Sequence, residues 1–384
     1  MNKKIVIIIA LIIFALISGY YYLSKNSYNS QKKVFLKVGV LAPLSGENAT
    51  YGDATIKGLE MALDEINKKN EYKNFTIALI KEDTKLEASK AVNGIQKLIS
   101  VDKIPVIIGP FGSSEVLSVS QTASREKTPI ISASATADAI ADAGDYVFRI
   151  VPSNNDQGKS MADYVVNKLN IKNDIVILAL NNEYGVSLSH AFKNRITELG
   201  GNIVYEDKFS EKERDFKTLL LKVKKLKPSF IYIPDHYNEA GLFLKQAKEL
   251  KLNCPVGGGD GSYSPDLIAI AGNGANGFYL TLMGLNNLNP KTEIFKNAYK
   301  RKYGKEYDIY SAYAYDCMFV IAESLKKMSR EELRSMNGEK MRKLMLGVKY
   351  DGITGSNQFD ERGEVQKSFN IYQIKDSSFI NISN

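Results

Sequence analysis

Side chains that hold metals or do covalent chemistry are scarce in this sequence. Two cysteines, Cys254 and Cys317, and two histidines, His190 and His236, serve all 384 residues. That is too few nitrogen and sulfur ligands for a zinc site, which needs about four. So few cysteines also exclude a small disulfide scaffold and suit an exported chain that folds without bridges. Both thiols are expected to be free. Gly-x-Ser-x-Gly, Gly-x-x-x-x-Gly-Lys-Ser/Thr and a Gly-x-Gly-x-x-Gly following a strand are all missing. The usual sequence signs of hydrolase, phosphate-loop and dinucleotide chemistry are therefore lacking. The reading is of a protein that is not an enzyme, with no cofactor and no metal.

Concentrated charge is missing too. The formal net charge is +8 and the pI near 9.0, but the lysines are dispersed. The short runs KVKKLK (Lys222–Lys227) and KRKYGK (Lys300–Lys305) sit on amphipathic patterns and read as solvated helix faces. No aromatics interleave with them as a platform for bases would require, so nucleic acid is not an expected partner. What is present is a chain 44% hydrophobic, long enough for two domains and a sizeable core.

Lys3 and Lys4 precede an uncharged stretch, Ile5 to Leu23. As a helix it would extend roughly 28 Å, close to the bilayer core. The lysines fit a cytoplasmic N-terminus, and Tyr20, Tyr21 and Tyr22 an outer aromatic belt. The favoured reading is one N-terminal membrane helix, with a cleaved secretory signal as the alternative. Either places the body outside the cytoplasm. No cysteine follows the apolar run for lipid attachment. Ser24 to Gln31 read as a short polar tether.

From Val34 onward strands and helices alternate. FLKVGVLAP, FTIALIKED, VIIGP and PIISA read as strands, separated by amphipathic helices such as that of Ile56, Leu59, Leu63 and Ile66. After Pro152 the alternation restarts with DIVILAL, NIVYEDKF, SFIYIPD and PVGGG. Helices dominate Pro290 to Leu346, and FNIYQIK lies in a tail of turn-separated strands. Repeated strand–helix units imply parallel, doubly wound sheets, and two runs imply two α/β lobes. Such sheets bind ligands beyond the carboxyl ends of their strands, so residues following strands are the candidate site. The first run offers Tyr51 at a helix entry, Ser113 and Ser114 after VIIGP, and Ser134 and Thr136 after PIISA. The second offers Tyr184, His236 and Asp260. Hydroxyls and helix-start amides around Ser113 and Thr136 are donors for an anion. Asp260 would attract a cation, and Tyr51 and Tyr184 could cover an apolar group. A zwitterion satisfies both sets.

The segments VGVLAPLSGENATYGDATIKGLEMALDEIN, VIIGPFGSS, PIISASAT, FRIVPSNNDQG, NNEYG, ERDFKTLLLKVK, FIYIPDHYNEAGLFLKQAKELKL and GGDG, in this order, resemble the leucine/isoleucine/valine-binding proteins of ABC importers. The likeness runs from Val34 to about Phe359. It implies a type I periplasmic-binding fold with two lobes joined by a three-strand hinge, crossing near Pro152, Gly284 and Gly352. Residues 34–151 with 285–352 would form lobe one, 152–284 with 353–384 lobe two, and 1–33 the anchor or signal and tether. It also implies a receptor that closes on a small polar ligand, an amino acid, and docks on permease membrane subunits. A receptor subunit feeding a signalling partner is the alternative. By the same resemblance Ser113, Thr136 and the backbone at Ser134 hold the ligand carboxylate, and Asp260 receives its ammonium. Tyr184 and Tyr51 lie at the ligand and its side-chain pocket. His236 stands where the family often has tyrosine, a departure that bears on specificity.

Overall fold

The computed structural model describes residues 33–383, together with Ser18. The apolar stretch Ile5 to Leu23 lies, apart from Ser18, outside the described residues. Among these, no helix is long and apolar enough to cross a membrane.

Strand β1 (Val34–Ala42) begins by alternating, with Val34 and Leu36 inward and Phe35 and Lys37 outward, then becomes buried throughout. That change marks entry between two neighbouring strands with helices on both faces. Helix α1 (Ala49–Lys68), β2 (Phe75–Asp83), α2 (Ala88–Ser100), β3 (Ile107–Ile108), α3 (Ser113–Arg125), β4 (Ile130–Ser132) and β5 (Val147–Arg149) complete the first sheet and the helices between its strands. All its pairings are parallel, in the order β2-β1-β3-β4-β5. Leu41, Ile107 and Ile130 meet Ile95, Val116 and Val119 in one buried cluster of that sheet.

The second series runs α4 (Asn154–Asn167), β6 (Ile175–Leu180), α5 (Glu183–Glu198), β7 (Ile203–Phe209), α6 (Lys217–Leu226), β8 (Phe230–Ile233), α7 (Tyr237–Glu249), β9 (Val256–Gly258), α8 (Pro265–Ala271) and β10 (Tyr279–Met283). Four helices follow: α9 (Pro290–Tyr303), α10 (Ile309–Leu325), α11 (Arg330–Arg334) and α12 (Gly338–Leu346). The chain ends in β11 (Tyr350–Gly352), β12 (Gly355–Asn357), β13 (Phe369–Lys375) and β14 (Ser378–Asn381). The second sheet is ordered β14-β13-β10-β9-β8-β6-β7. The expectation of purely parallel sheets needs correction here. β13 pairs antiparallel with β10 and β14 with β13; only a tight turn separates β13 from β14, so that pair can only run antiparallel, whereas β13 comes back to β10 after the four-helix segment.

In the first sheet the winding reverses between β1 and β3, in the second between β6 and β8. Each reversal splays the following loops apart at the carboxyl ends and leaves a crevice. Helix α10 is buried over nearly its whole length and lies against α1. A Cβ on Gly58 of α1 would come within 2.0 Å of the Ser311 carbonyl oxygen, so only glycine allows the two helices to approach this closely. Asp316 of α10 accepts from the Ile353 and Thr354 amides at 3.2 and 2.8 Å. The half-buried Lys367 donates to Thr354 Oγ1 and Asn357 Oδ1 at 2.8 and 2.9 Å. Cys254 is half-buried, Cys317 buried, and both are free.

Candidate functional site

The carboxyl ends of the two sheets meet at a single small cavity. Its first wall carries Phe111 and Ser113, after β3 and at the start of α3, with Ser134 and Ala135 after β4. Its second wall carries Tyr184, His236 and Asp260, following β6, β8 and β9. Tyr310 of α10 closes the ring. Five of the seven residues to which the resemblance gave ligand roles therefore line one space. It measures about 20 Å³, enough for one water and far too little for an amino acid. A solute of that size enters only when the walls part.

Asp260 organises the second wall. It is 2% exposed, and its Oδ1 accepts from Gln157 Nε2 at 2.7 Å and the Tyr184 hydroxyl at 2.9 Å. Burial pushes its pKa up to about 6, against the lowering effect of those two bonds. The hydroxyl of Tyr184 also accepts from the Gly261 amide at 3.0 Å. The glycine run beneath it is a space requirement: a Cβ on Gly259 would lie 2.2 Å from the Tyr184 hydroxyl. Beside it Asp235 is wholly buried, bonded by the Ser262 hydroxyl at 2.9 Å, and burial raises its pKa well above the carboxylate range. His236 stacks on Tyr184 at 5.7 Å, 16° from parallel, and burial lowers it to about 4.

The first wall is neutral. The Ser113 hydroxyl accepts from the Ala137 amide at 3.2 Å, and that of Ser134 donates to the Phe111 carbonyl at 2.7 Å. Thr136 is fully buried beside them, and its hydroxyl has no partner. Such an unpartnered group is costly to keep. The loop carrying these residues is held by Arg149, which is 1% exposed. Arg149 donates to the Ala137 carbonyl at 2.9 Å and grips Glu364 through its Nε at 2.8 and 2.9 Å.

Two expected residues do not line the cavity. Thr136 lies just behind the first wall. Tyr51 is displaced further: it stacks on Phe111 at 4.6 Å, is 1% exposed, and donates its hydroxyl to the Gly261 carbonyl. It supports the wall from behind. Sequence reasoning missed Tyr310, which donates to the Asp260 carbonyl at 2.7 Å, and Gln157. Both stand in the first turn of a helix; the start of α4 directly after the restart at Pro152 was the available signal for Gln157.

Polar bonds join the walls outside the cavity. Ser187 Oγ donates to Asp138 Oδ2 at 2.9 Å and accepts from the Asp138 amide at 3.1 Å. Thr50 donates to Asp266 Oδ2, and the Tyr237 hydroxyl to the Glu47 carbonyl, both at 2.5 Å. A second, wider chamber of about 510 Å³ adjoins at His236, lined by Glu47, Lys85, Leu86, Arg214 and Glu239. Glu239 accepts from Arg214 at 2.9 Å, yet burial still raises it to about 7.

Two doubly wound sheets facing each other across a polar, aromatic-framed cavity are the architecture of the type I periplasmic-binding fold. The chain belongs to the periplasmic binding protein family, whose model matches residues 36–378. Among curated relatives, the leucine-, isoleucine-, valine-, threonine- and alanine-binding protein of Pseudomonas aeruginosa is 26% identical over 340 residues, 88% of this chain and 89% of that protein. The Leu/Ile/Val-binding protein of Citrobacter freundii is 30% identical over 268 residues, 70% of this chain and 72% of that one. Among solved structures, a leucine-binding protein of Thermotoga maritima matches with a TM-score of 0.84 at 27% identity, covering 90% of this chain and 97% of that chain. The branched-chain amino acid transporter substrate-binding protein of Streptococcus pneumoniae, in complex with isoleucine, gives 0.83 at 26%, covering 92% and 100%. The resemblance read from the sequence is borne out.

Proposed function

We propose that this chain is the extracytoplasmic substrate-binding protein of an ABC importer and captures an α-amino acid between two closing lobes. The observation that carries the reading is the opposition of the Ser113 and Ser134 hydroxyls, with Thr136 just behind them, to the Asp260 carboxylate across one cavity. The ligand carboxylate would take the Thr136 hydroxyl and the helix-start amides of α3, where the dipole and free N–H groups favour an anion. The ammonium would take Asp260. Ser113 and Ser134 shape the anion side, Tyr184 and His236 flank the ligand, and Tyr51 props Phe111 against it. Charge-assisted bonds contribute about 1.5–3 kcal/mol each. Four or five, less the ordering cost, suit roughly micromolar affinity.

Lobe one would comprise residues 34–151 with 285–352, and lobe two 152–284 with 353–384, crossing near Pro152, Gly284 and Gly352. The division of strands between the two sheets and the packing of α10 on α1 support this assignment. The apolar stretch Ile5 to Leu23 would anchor the receptor in the cell membrane, beside the permease subunits that accept its cargo. Several relatives carry amino acids in their names, leucine and isoleucine among them, which supports the substrate class. Purification under native conditions, followed by mass spectrometry of any retained solute and thermal-shift screening of amino acids, tests the reading. Stabilisation by at least one amino acid is expected. No response to any amino acid, amide or short peptide would remove it.

A further inference from the structure

His236 is the one residue common to the linings of the inner cavity and the outer chamber. It is 8% exposed, yet its imidazole makes no hydrogen bond to the protein among the described residues, and its ring nitrogens are not among the sealed, partnerless atoms of the core. They therefore face the open space where the two volumes meet. The ring cannot turn away freely, since it lies flat against Tyr184 at 5.7 Å and meets the Tyr51 ring edgewise at 6.2 Å. An imidazole that lines both spaces and has no protein partner is available to a bound solute as donor and acceptor.

We propose that His236 selects the side chain of the ligand: the captured amino acid bears a polar, uncharged group, an amide or a hydroxyl, that hydrogen-bonds the imidazole where the cavity opens towards the chamber. This rests on the amino-acid reading above. An α-amino acid held between Asp260 and the neutral wall would send a side chain long enough to leave the cavity to the point where cavity and chamber share His236. Phe111 is backed by Tyr51 at 4.6 Å and met by Tyr310 at 4.9 Å. Methylenes passing the faces of Phe111 and Tyr310 would be well accommodated, and the group at their end would meet the imidazole.

The imidazole is the appropriate partner for a neutral group. Burial holds it near 4, so at physiological pH it offers one donor and one acceptor and no charge. An amide or hydroxyl can answer either. Beyond it, the Arg214 guanidinium pairs with Glu47 and Glu239, while Lys85 and Lys212 also line the chamber, so L-glutamate is the ligand that competes with this reading. A leucine side chain driven into the same place would cover the ring nitrogens without replacing their hydrogen bonds to water. A site with a buried polar group discriminates against ligands that leave it unpaired.

Calorimetric titration of the purified full chain with L-glutamine, L-asparagine, L-threonine, L-serine, L-leucine, L-isoleucine, L-valine, L-glutamate and L-lysine tests this. The tightest of the four polar neutral ligands should bind at least about tenfold better than leucine, the scale set by one unsatisfied buried group. In H236L that preference should shrink or invert while an amino acid still binds. Leucine, isoleucine, valine, glutamate or lysine as the tightest ligand of the unaltered chain would overturn the inference and leave the amino-acid reading standing. So would an unchanged preference in H236L. Binding of none of the nine would remove both. The ranking in the unaltered chain decides the matter even if the variant fails to fold.

Discussion

The two walls of the cavity solve different problems. The first is lined by hydroxyls and backbone, with one carboxylate behind it, Glu115, which burial raises to about 7 and which accepts from the Gly112 amide; its accuracy comes from Arg149 pinning the loop at Ala137. The second carries Asp260 and His236, whose protonation is set by burial, and it needs the glycine run to leave room for Tyr184. A wall of dipoles depends on placement, whereas a wall of ionisable groups depends on its solvation. Perturbing each should leave a different signature.

The largest expected effect falls on the charged wall. Asp260→Asn should weaken amino-acid binding by about a hundredfold, from loss of a charge-assisted bond of roughly 1.5–3 kcal/mol, read by calorimetry. Thermal stability should hold or rise, because a buried carboxylate is relieved. Unchanged affinity would show that the ammonium is held elsewhere. Next comes pH. Asp260 is raised above its ordinary value, so its contribution to fold stability is complete below the ordinary carboxylate range and is lost as pH rises through about 6. Affinity runs the other way: it should be full above about 6 and fall towards tenfold per pH unit below that. Asp260→Asn should flatten this profile, and an equally steep profile in the variant would assign the titration to another group.

On the neutral wall, Thr136→Val should lower affinity by roughly tenfold, one hydrogen bond to a charged group, with no loss in melting temperature since the hydroxyl has no partner to lose. Loss of stability without loss of affinity would make Thr136 a packing residue alone. The smallest effect is expected outside the cavity. Ser187→Ala removes the bridge to Asp138 from a half-buried position and should change affinity a few-fold at most, chiefly through faster release. A drop as large as that of Asp260→Asn would relocate the main closing interaction to this bridge.

Much of this arrangement was legible in the sequence because chemistry follows strands. Ser113, Ser134, Tyr184, His236 and Asp260 were found by reading what comes after each apolar run, a rule that parallel sheets enforce. The same rule fails for Gln157 and Tyr310, which reach the site from helices; the start of α4 after Pro152 was a hint for the first, and nothing in the helical pattern of α10 marks the second. Strand β10 was overlooked because YLTLM sits between Gly277 and Gly284 in a stretch read as an approach to a crossing, and β5 because it is three residues long. Tyr51 was placed one layer too far forward. Its position in the chain is adjacent to the site, but the stack on Phe111 draws the ring behind the wall, a preference of side-chain packing invisible at the level of residue order.

The stack of Tyr51 on Phe111, edged by Tyr310, also has an optical consequence. The chain contains no tryptophan among its 384 residues. An indole introduced at Phe111 would be its only fluorophore excitable at the red edge, seated at the boundary that must separate and rejoin when solute passes. Its emission colour would follow hydration of that boundary directly, giving a clock for opening and closing in a molecule otherwise dark at those wavelengths.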